Sequence, residues 1–294
     1  MSCKVIGFIS EKGGVGKTTV CYHIAVGLRK FHKKKVLVID TDYQRGGITG
    51  RFIPELIENF QKGEIPYKNI YHQFQGLYAD SDINIEMDIL KGNNDIDIIP
   101  SDPRLNRVSV DKLPGDRDLE RLSLNRYKHL CIIKDAIEQY KGKYDYILID
   151  THPEISDLLD CVINACDFCV SPVKLDRQSS VGVASSVEAI HNVNKNISKL
   201  TTMLEIDNIE KTKFIGAIAM MAREYSNELI FTMNVEYSKL NRLYGVFENY
   251  ITEGDGVRVA ANQYTPVYYI DGDNADKQSS QFKALTREFI RKCK

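Results

Sequence analysis

No stretch of this 294-residue chain reaches the roughly 18 consecutive apolar residues that a membrane-spanning helix needs. The N-terminus, MSCKVIGFIS, lacks the basic start, apolar run and small-residue cleavage site of a secretory signal. An excess of one charge is missing too: 39 Lys and Arg stand against 40 Asp and Glu, a net charge of −1. Global charge therefore neither demands nor excludes nucleic acid, and only a local basic patch could bind it. There are no internal repeats, low-complexity tracts or Pro/Ser-rich linkers. The seven cysteines, at positions 3, 21, 131, 161, 166, 169 and 293, are odd in number and irregular in spacing. Together these absences lead us to expect a reduced, soluble, cytoplasmic protein. The six histidines show no H-E-x-x-H or other ligand spacing.

What is present is an ordinary globular mixture, 43% hydrophobic and 27% charged, long enough for one large α/β domain or two small ones. Continuous apolar runs at residues 4–10 (KVIGFIS), 35–40 (KVLVID), 96–100 (IDIIP), 144–150 (YDYILID), 167–172 (DFCVSP) and 213–221 (KFIGAIAMM) suit strands buried on both faces of a parallel sheet. Helical patterns lie between them, at 17–30, 118–140, 181–194, 227–240 and 276–291. This alternation predicts an α/β fold with a doubly wound, mostly parallel sheet flanked by helices, one domain over residues 1–294. Residues 51–94 are the least legible, and we expect helix and loop covering the sheet edge there. In such sheets ligands bind at the carboxyl ends of the strands.

The first strand runs into Glu11-Lys12-Gly13-Gly14-Val15-Gly16-Lys17-Thr18-Thr19, which opens a helix. Glycines let backbone N–H groups face phosphate oxygens, and the helix start adds unpaired donors and a positive dipole end. Gly13, Gly14, Val15, Gly16, Lys17, Thr18 and Thr19 are the candidate nucleotide-binding residues. Lys17 is placed to reach the β/γ-phosphates, and the Thr18 hydroxyl to ligate Mg²⁺. The generic phosphate-loop pattern fails strictly, because Glu11 stands at its first glycine, and a second lysine, Lys12, precedes the glycines.

On these residues the chain resembles the ParA/Soj/MinD family of deviant Walker ATPases. The resemblance implies ATP and Mg²⁺ as cofactors and an ATP-sandwich homodimer in which Lys12 reaches the partner's phosphates. The run Asp40-Thr41-Asp42-Tyr43-Gln44 stands where the family has D-x-D-P-Q. It implies that Asp42 orients or activates the attacking water while Asp40 supports the metal environment. Tyr43 replaces the usual proline, and Arg45-Gly46-Gly47 follows it, departures that bear on the switch loop. Residues 146–150 (YILID) form a Walker B pattern, with Asp150 holding the Mg²⁺ water shell. Where the family continues D-T-P-P, this chain has Asp150-Thr151-His152-Pro153. His152 is read as a harmless replacement, a pH-sensitive contact or a ligand. Ile99-Pro100-Ser101, Ser171-Pro172-Val173 and Thr265-Pro266-Val267 add weaker matches. Arg223 stands where the family has aspartate, with Asn227 kept.

The resemblance implies a ParA-type partition ATPase that binds DNA nonspecifically and is reset by a ParB-like adaptor. The alternative is a MinD-like ATPase positioning protein cargo on membrane or nucleoid. The phosphate loop lies so near the start of the chain that no N-terminal helix-turn-helix is expected. Residues 277–294 hold Lys277, Lys283, Arg287, Arg291, Lys292 and Lys294 against Glu288 alone, with Phe282, Leu285, Phe289 and Ile290 at helical spacing. A packed terminal helix with a solvated basic face, a DNA-contacting face and a membrane anchor are three readings, the anchor least favoured. Arg223, Lys239, Arg242 and Arg258 are further DNA-face candidates. Cys161, Cys166 and Cys169 invite a metal or iron–sulfur reading, but their spacing is no recognised frame, and buried thiols are expected.

Overall fold

The computed structural model describes residues 2–44, 46–63, 65–81, 85–207 and 209–294, with Ser179 described by its backbone alone. Chain order runs β1 (Lys4–Phe8), α1 (Lys17–His32), β2 (Val36–Asp40), three short helices α2 (Ile48–Phe52), α3 (Leu56–Lys62) and α4 (Ile70–Tyr78), then β3 (Leu90–Gly92) and β4 (Ile96–Ile99). It continues α5 (Leu119–Lys141), β5 (Tyr146–Asp150), α6 (Asp157–Ala165), β6 (Phe168–Lys174), α7 (Arg177–Met203) and β7 (Lys213–Met220). A two-stranded ribbon, β8 (Glu224–Tyr225) and β9 (Glu228–Leu229), leads to α8 (Phe231–Tyr244), α9 (Asp255–Asn262) and α10 (Asp273–Lys292).

The main sheet has the order β3-β4-β2-β5-β1-β6-β7. All neighbours are parallel except β3, which runs antiparallel to β4. The doubly wound, mostly parallel sheet is therefore as the sequence predicts. The central strands bury both faces. Ile147 and Ile149 of β5 face the core under α5, α6 and α7, while Tyr146 and Leu148 face the core under α1 and α10. That period of two, with no polar residue in the alternation, is why these strands read as continuous apolar runs.

Residues 51–94 hold more order than expected. Ile70, Phe74 and Leu77 of α4 are buried in the α5-side core, and β3 itself forms the sheet edge that loop was expected to cover. Asn69 caps α4, accepting from the Tyr71 amide at 3.1 Å. Arg45, one of the switch-loop departures, lies outside the described residues, as do Glu64 and residues 82–84 of this segment. Helix α7 extends well past the expected 181–194 at both ends.

Candidate functional site

The carboxyl ends of β1, β2 and β5 converge, because β5 pairs with both neighbours and Asp40 and Asp150 are register partners. After β1 the chain turns through Gly14 (φ +70°) and Gly16 (φ +100°). Both lie in the left-handed region, where a side chain brings strain. A Cβ on Gly16 would also stand 3.2 Å from the end of Met220. Val15 is buried and pins the loop, and a Cβ on Gly13 would come to 3.9 Å from Pro153. Helix α1 starts at Lys17 with no side-chain cap and no acidic residue in its first turn. Its first N–H groups are thus left for an anion.

Lys17 is buried, and its ammonium donates to the Ser10 carbonyl at 3.2 Å. Burial lowers its pKa, against the opposing pull of Asp150 and Asp42. The Thr18 hydroxyl donates to Asp150 Oδ2 at 2.8 Å. The other oxygen, Asp150 Oδ1, is buried without a hydrogen-bond partner. Burial pushes this carboxyl up to about 7, with Asp42 adding to the rise and Thr18, Lys17 and Arg51 opposing it. An orphaned carboxylate oxygen beside a threonine hydroxyl fits Mg²⁺ shared with phosphate oxygens and water. Among the described residues no group of three or more His, Cys, Asp or Glu could cage a metal without such help.

Asp40 has both oxygens engaged. Oδ1 accepts from the Asp42 amide at 3.0 Å, and Oδ2 from the Thr49 amide at 2.9 Å and the Thr49 hydroxyl at 2.6 Å. It ties the end of β2 to the start of α2, and burial raises its pKa well above the carboxylate range, with Asp150 adding to the rise. Asp42 is nearly buried, its Oδ1 accepts from the Gln44 amide at 2.9 Å, and its carbonyl accepts from the Ser101 hydroxyl at 2.6 Å. Burial raises its pKa, opposed by the Gln44 amide, His152 and Lys17.

The two departures from the family pattern meet in space. The Tyr43 and His152 rings stack with centroids 4.0 Å apart and planes 16° from parallel. The Tyr43 hydroxyl donates to Glu154, and His152 Nδ1 is buried without a partner. Burial lowers the His152 pKa, and Asp42 opposes that shift.

Lys12 stands apart from this group. Its ammonium lies 3.5 Å from Asp176 Oδ1, just before α7. Two features were not legible in the sequence. Arg51 of α2 reaches back to donate to the Thr19 hydroxyl at 3.2 Å, with its guanidinium 5.8 Å from the Tyr22 ring centre. A slot of about 240 Å³ opens beside Gly16 and Thr19, walled by Met220, Met221, Thr252 and Arg258. Its signal in the sequence was the methionine pair Met220 and Met221, at and just past the end of β7. Arg223, at the family's aspartate position, is paired with Glu253 at 2.6 Å.

The remaining candidates fall into place structurally. All seven cysteines are free thiols, six of them buried. Phe282, Leu285 and Phe289 of α10 are fully buried in the α1-side core. Of its cations, Lys277 pairs with Glu224, Arg291 with Glu248 at 3.4 Å, and Lys292 with the buried Glu288 at 3.8 Å, while Lys283 and Arg287 form no ion pair among the described residues. Lys239 and Arg258 pair with Glu236 and Asp255 at 3.9 and 3.3 Å. Among the described residues, no helix is long and apolar enough to cross a membrane.

A family model described as an AAA domain matches residues 3–206. A protein of Mycoplasma pneumoniae described as a ParA family protein is 24% identical over 289 residues, covering 97% of each chain. Among solved structures, an ATP complex of McdA from Cyanothece superposes with a TM-score of 0.70 at 16% identity, covering 98% of this chain and 96% of that one. A plasmid partition protein from Borrelia burgdorferi superposes with a TM-score of 0.59 at 23% identity, covering 99% of this chain and all of the other at 100%. These two structural likenesses carry the fold.

Proposed function

We propose, from the premise that this chain belongs to the ParA/Soj/MinD family of deviant Walker ATPases, that it is a partition ATPase whose ATP-bound form is a homodimer. In this reading residues 1–294 act as one ATPase domain. The closed dimer binds DNA without sequence preference, and a ParB-like adaptor stimulates slow hydrolysis that reopens it. The observation that carries the reading is the Thr18–Asp150 contact with Asp150 Oδ1 left unpartnered, beside buried Lys17.

The residues divide the work as follows. The N–H groups of Gly13 to Thr19 cradle the phosphate chain, and Lys17 turns from the Ser10 carbonyl to the β/γ-phosphates. Mg²⁺, when bound, offsets the negative charge on the phosphate oxygens. Thr18 and Asp150 hold its coordination sphere, and Asp40 supports it indirectly by fixing the backbone of Asp42 and Thr49. Asp42 accepts a hydrogen bond from the attacking water, its carboxylate oriented by the Gln44 amide. The apolar slot beside Thr19 takes the base. Lys12 leaves Asp176 for the partner's terminal phosphate, so ATP favours the dimer because it touches both halves only when they are closed. The membrane-positioning alternative gains no support from α10, whose apolar stripe is already covered.

Two variants test this. Lys12→Ala should abolish adaptor- and DNA-stimulated hydrolysis while nucleotide binding by single subunits persists; unchanged turnover counts against the trans lysine. Asp42→Ala should sediment as a long-lived dimer with ATP and Mg²⁺. A variant that stays monomeric there removes the role given to Asp42.

A further inference from the structure

The sheet has a second charged edge, opposite the phosphate loop. Lys4 opens β1, Phe168 opens β6 and Lys213 opens β7, so in this parallel sheet they share the amino-terminal edge. A groove of about 850 Å³ lies there, lined by Lys4, Lys134, Lys141, Lys211, Lys213 and Lys294. The acids along it are Asp167 and Glu210. Asp167 is partly engaged, since its Oδ2 accepts from the Val5 amide at 2.8 Å. Lys141 pairs with Glu138 at 2.7 Å, whereas Lys4, Lys134, Lys211 and Lys213 form no ion pair among the described residues. On α10 three of the five cations, Lys277, Arg291 and Lys292, already face Glu224, Glu248 and Glu288, leaving Lys283 and Arg287 without an ion pair among the described residues, so a polyanion meets more uncommitted cations in the groove.

We propose that this lysine groove, and not the face of α10, is where the protein holds DNA, through the phosphate backbone of a duplex. The assignment of DNA as partner rests on the partition reading above; the location does not follow from it. Three features choose duplex DNA. The cations are lysines, mobile point charges suited to sequence-independent phosphate contact, with none of the planar forks that arginine would offer to bases. The groove has no stacking platform for single strands: its one aromatic ring, Phe168, is 9% exposed and lies beneath the Lys4 ammonium at 5.8 Å. Of its other apolar walls, Ala165 and Cys166 are buried and Ile209 is half-buried, so a single side chain among them is left to insert into a lipid surface.

The test is fluorescence anisotropy of a labelled random-sequence duplex with ATP and Mg²⁺ over a salt series. The triple variant Lys134→Glu/Lys211→Glu/Lys213→Glu is compared with the α10 variant Lys283→Glu/Arg287→Glu. We expect the groove variant to lose at least tenfold in affinity and its log–log salt slope to shrink by about 2 or more. Its thermal midpoint and DNA-free ATP turnover should match wild type, and the α10 variant should stay within about twofold. If the α10 variant loses binding while the groove variant keeps it, the location is wrong and the DNA reading stands. If the wild type binds no duplex, the DNA reading falls and this assignment with it. Loss of binding to phosphatidylserine vesicles by the groove variant, with duplex binding intact, reassigns the groove to membrane and overturns the proposal.

Discussion

His23 has both ring nitrogens committed: Nε2 accepts from the Val267 amide at 3.1 Å, so Nδ1 carries the proton and donates to the Thr19 carbonyl at 2.7 Å. Its ring stacks on Phe282 at 4.2 Å, and burial depresses its pKa to about 3 from 6.5, opposed by the Thr19 carbonyl and aided by Arg51. The unfolded chain therefore takes up this proton first on acidification. The stabilisation is complete above pH 6.5 and is lost as pH falls toward about 3. The expected slope is up to about 1.4 kcal/mol per pH unit. Melting temperatures from pH 7 to 4 should fall less steeply for His23→Gln than for wild type, and parallel curves would refute the assignment. The Tyr43–His152 stack makes a second prediction. Tyr43→Ala should slow turnover several-fold, on the scale of about 1 kcal/mol for an aromatic pair, with little change in KM for ATP. Tyr43→Phe should keep most of the rate. Read along the chain, these two residues were separate oddities, each standing where the family has proline. Only the pairing of β2 with β5 brings them face to face.

Helix α10 shows what an element's sequence does and does not disclose. Its apolar stripe was legible, because four large residues at helical spacing need a core. The role of Glu288 was not, since it looked like a lone acid on a basic face. It is 3% exposed and accepts from the Glu248 amide at 2.9 Å, the Asn249 amide at 3.0 Å and Asn249 Nδ2 at 2.8 Å. It thereby pins the loop between α8 and α9 that walls the base slot. Glu288→Ala should cost about 2–3 kcal/mol by stranding those donors, read as a lower urea midpoint, and Glu288→Gln should cost less. Gly27 is the companion case: a Cβ there would come within 2.6 Å of Thr286 Oγ1, so α1 and α10 meet closely only because that position is bare. Strands β1, β2 and β5 were found to within about two residues, since buried parallel strands are continuous apolar runs. Helices α2 to α4 escaped because helices of five to nine residues show at most two and a half turns of pattern. Likewise β3, three residues long, has no alternation to read.

At the scale of the whole molecule, the charges that matter are distributed by strand polarity. A parallel sheet sends one set of ends toward the phosphate loop and the other toward the lysine groove, which composition with a net charge of −1 conceals. If two copies close around nucleotide, two grooves travel together, and DNA affinity should rise by linkage without any change in either groove. ATP should then strengthen binding to long duplexes far more than to short ones that cannot reach both grooves, which anisotropy with probes of about 10 to 60 base pairs would measure. Equal strengthening at all lengths would contradict this. Strand β1 itself joins the two ends: five residues, about 17 Å, laced to β5 on one side and β6 on the other. So stiff a rod transmits little bending from its fuel end to its cargo end. Letting go would accordingly be a matter of partners drifting apart, with each palm keeping the shape it had while holding on.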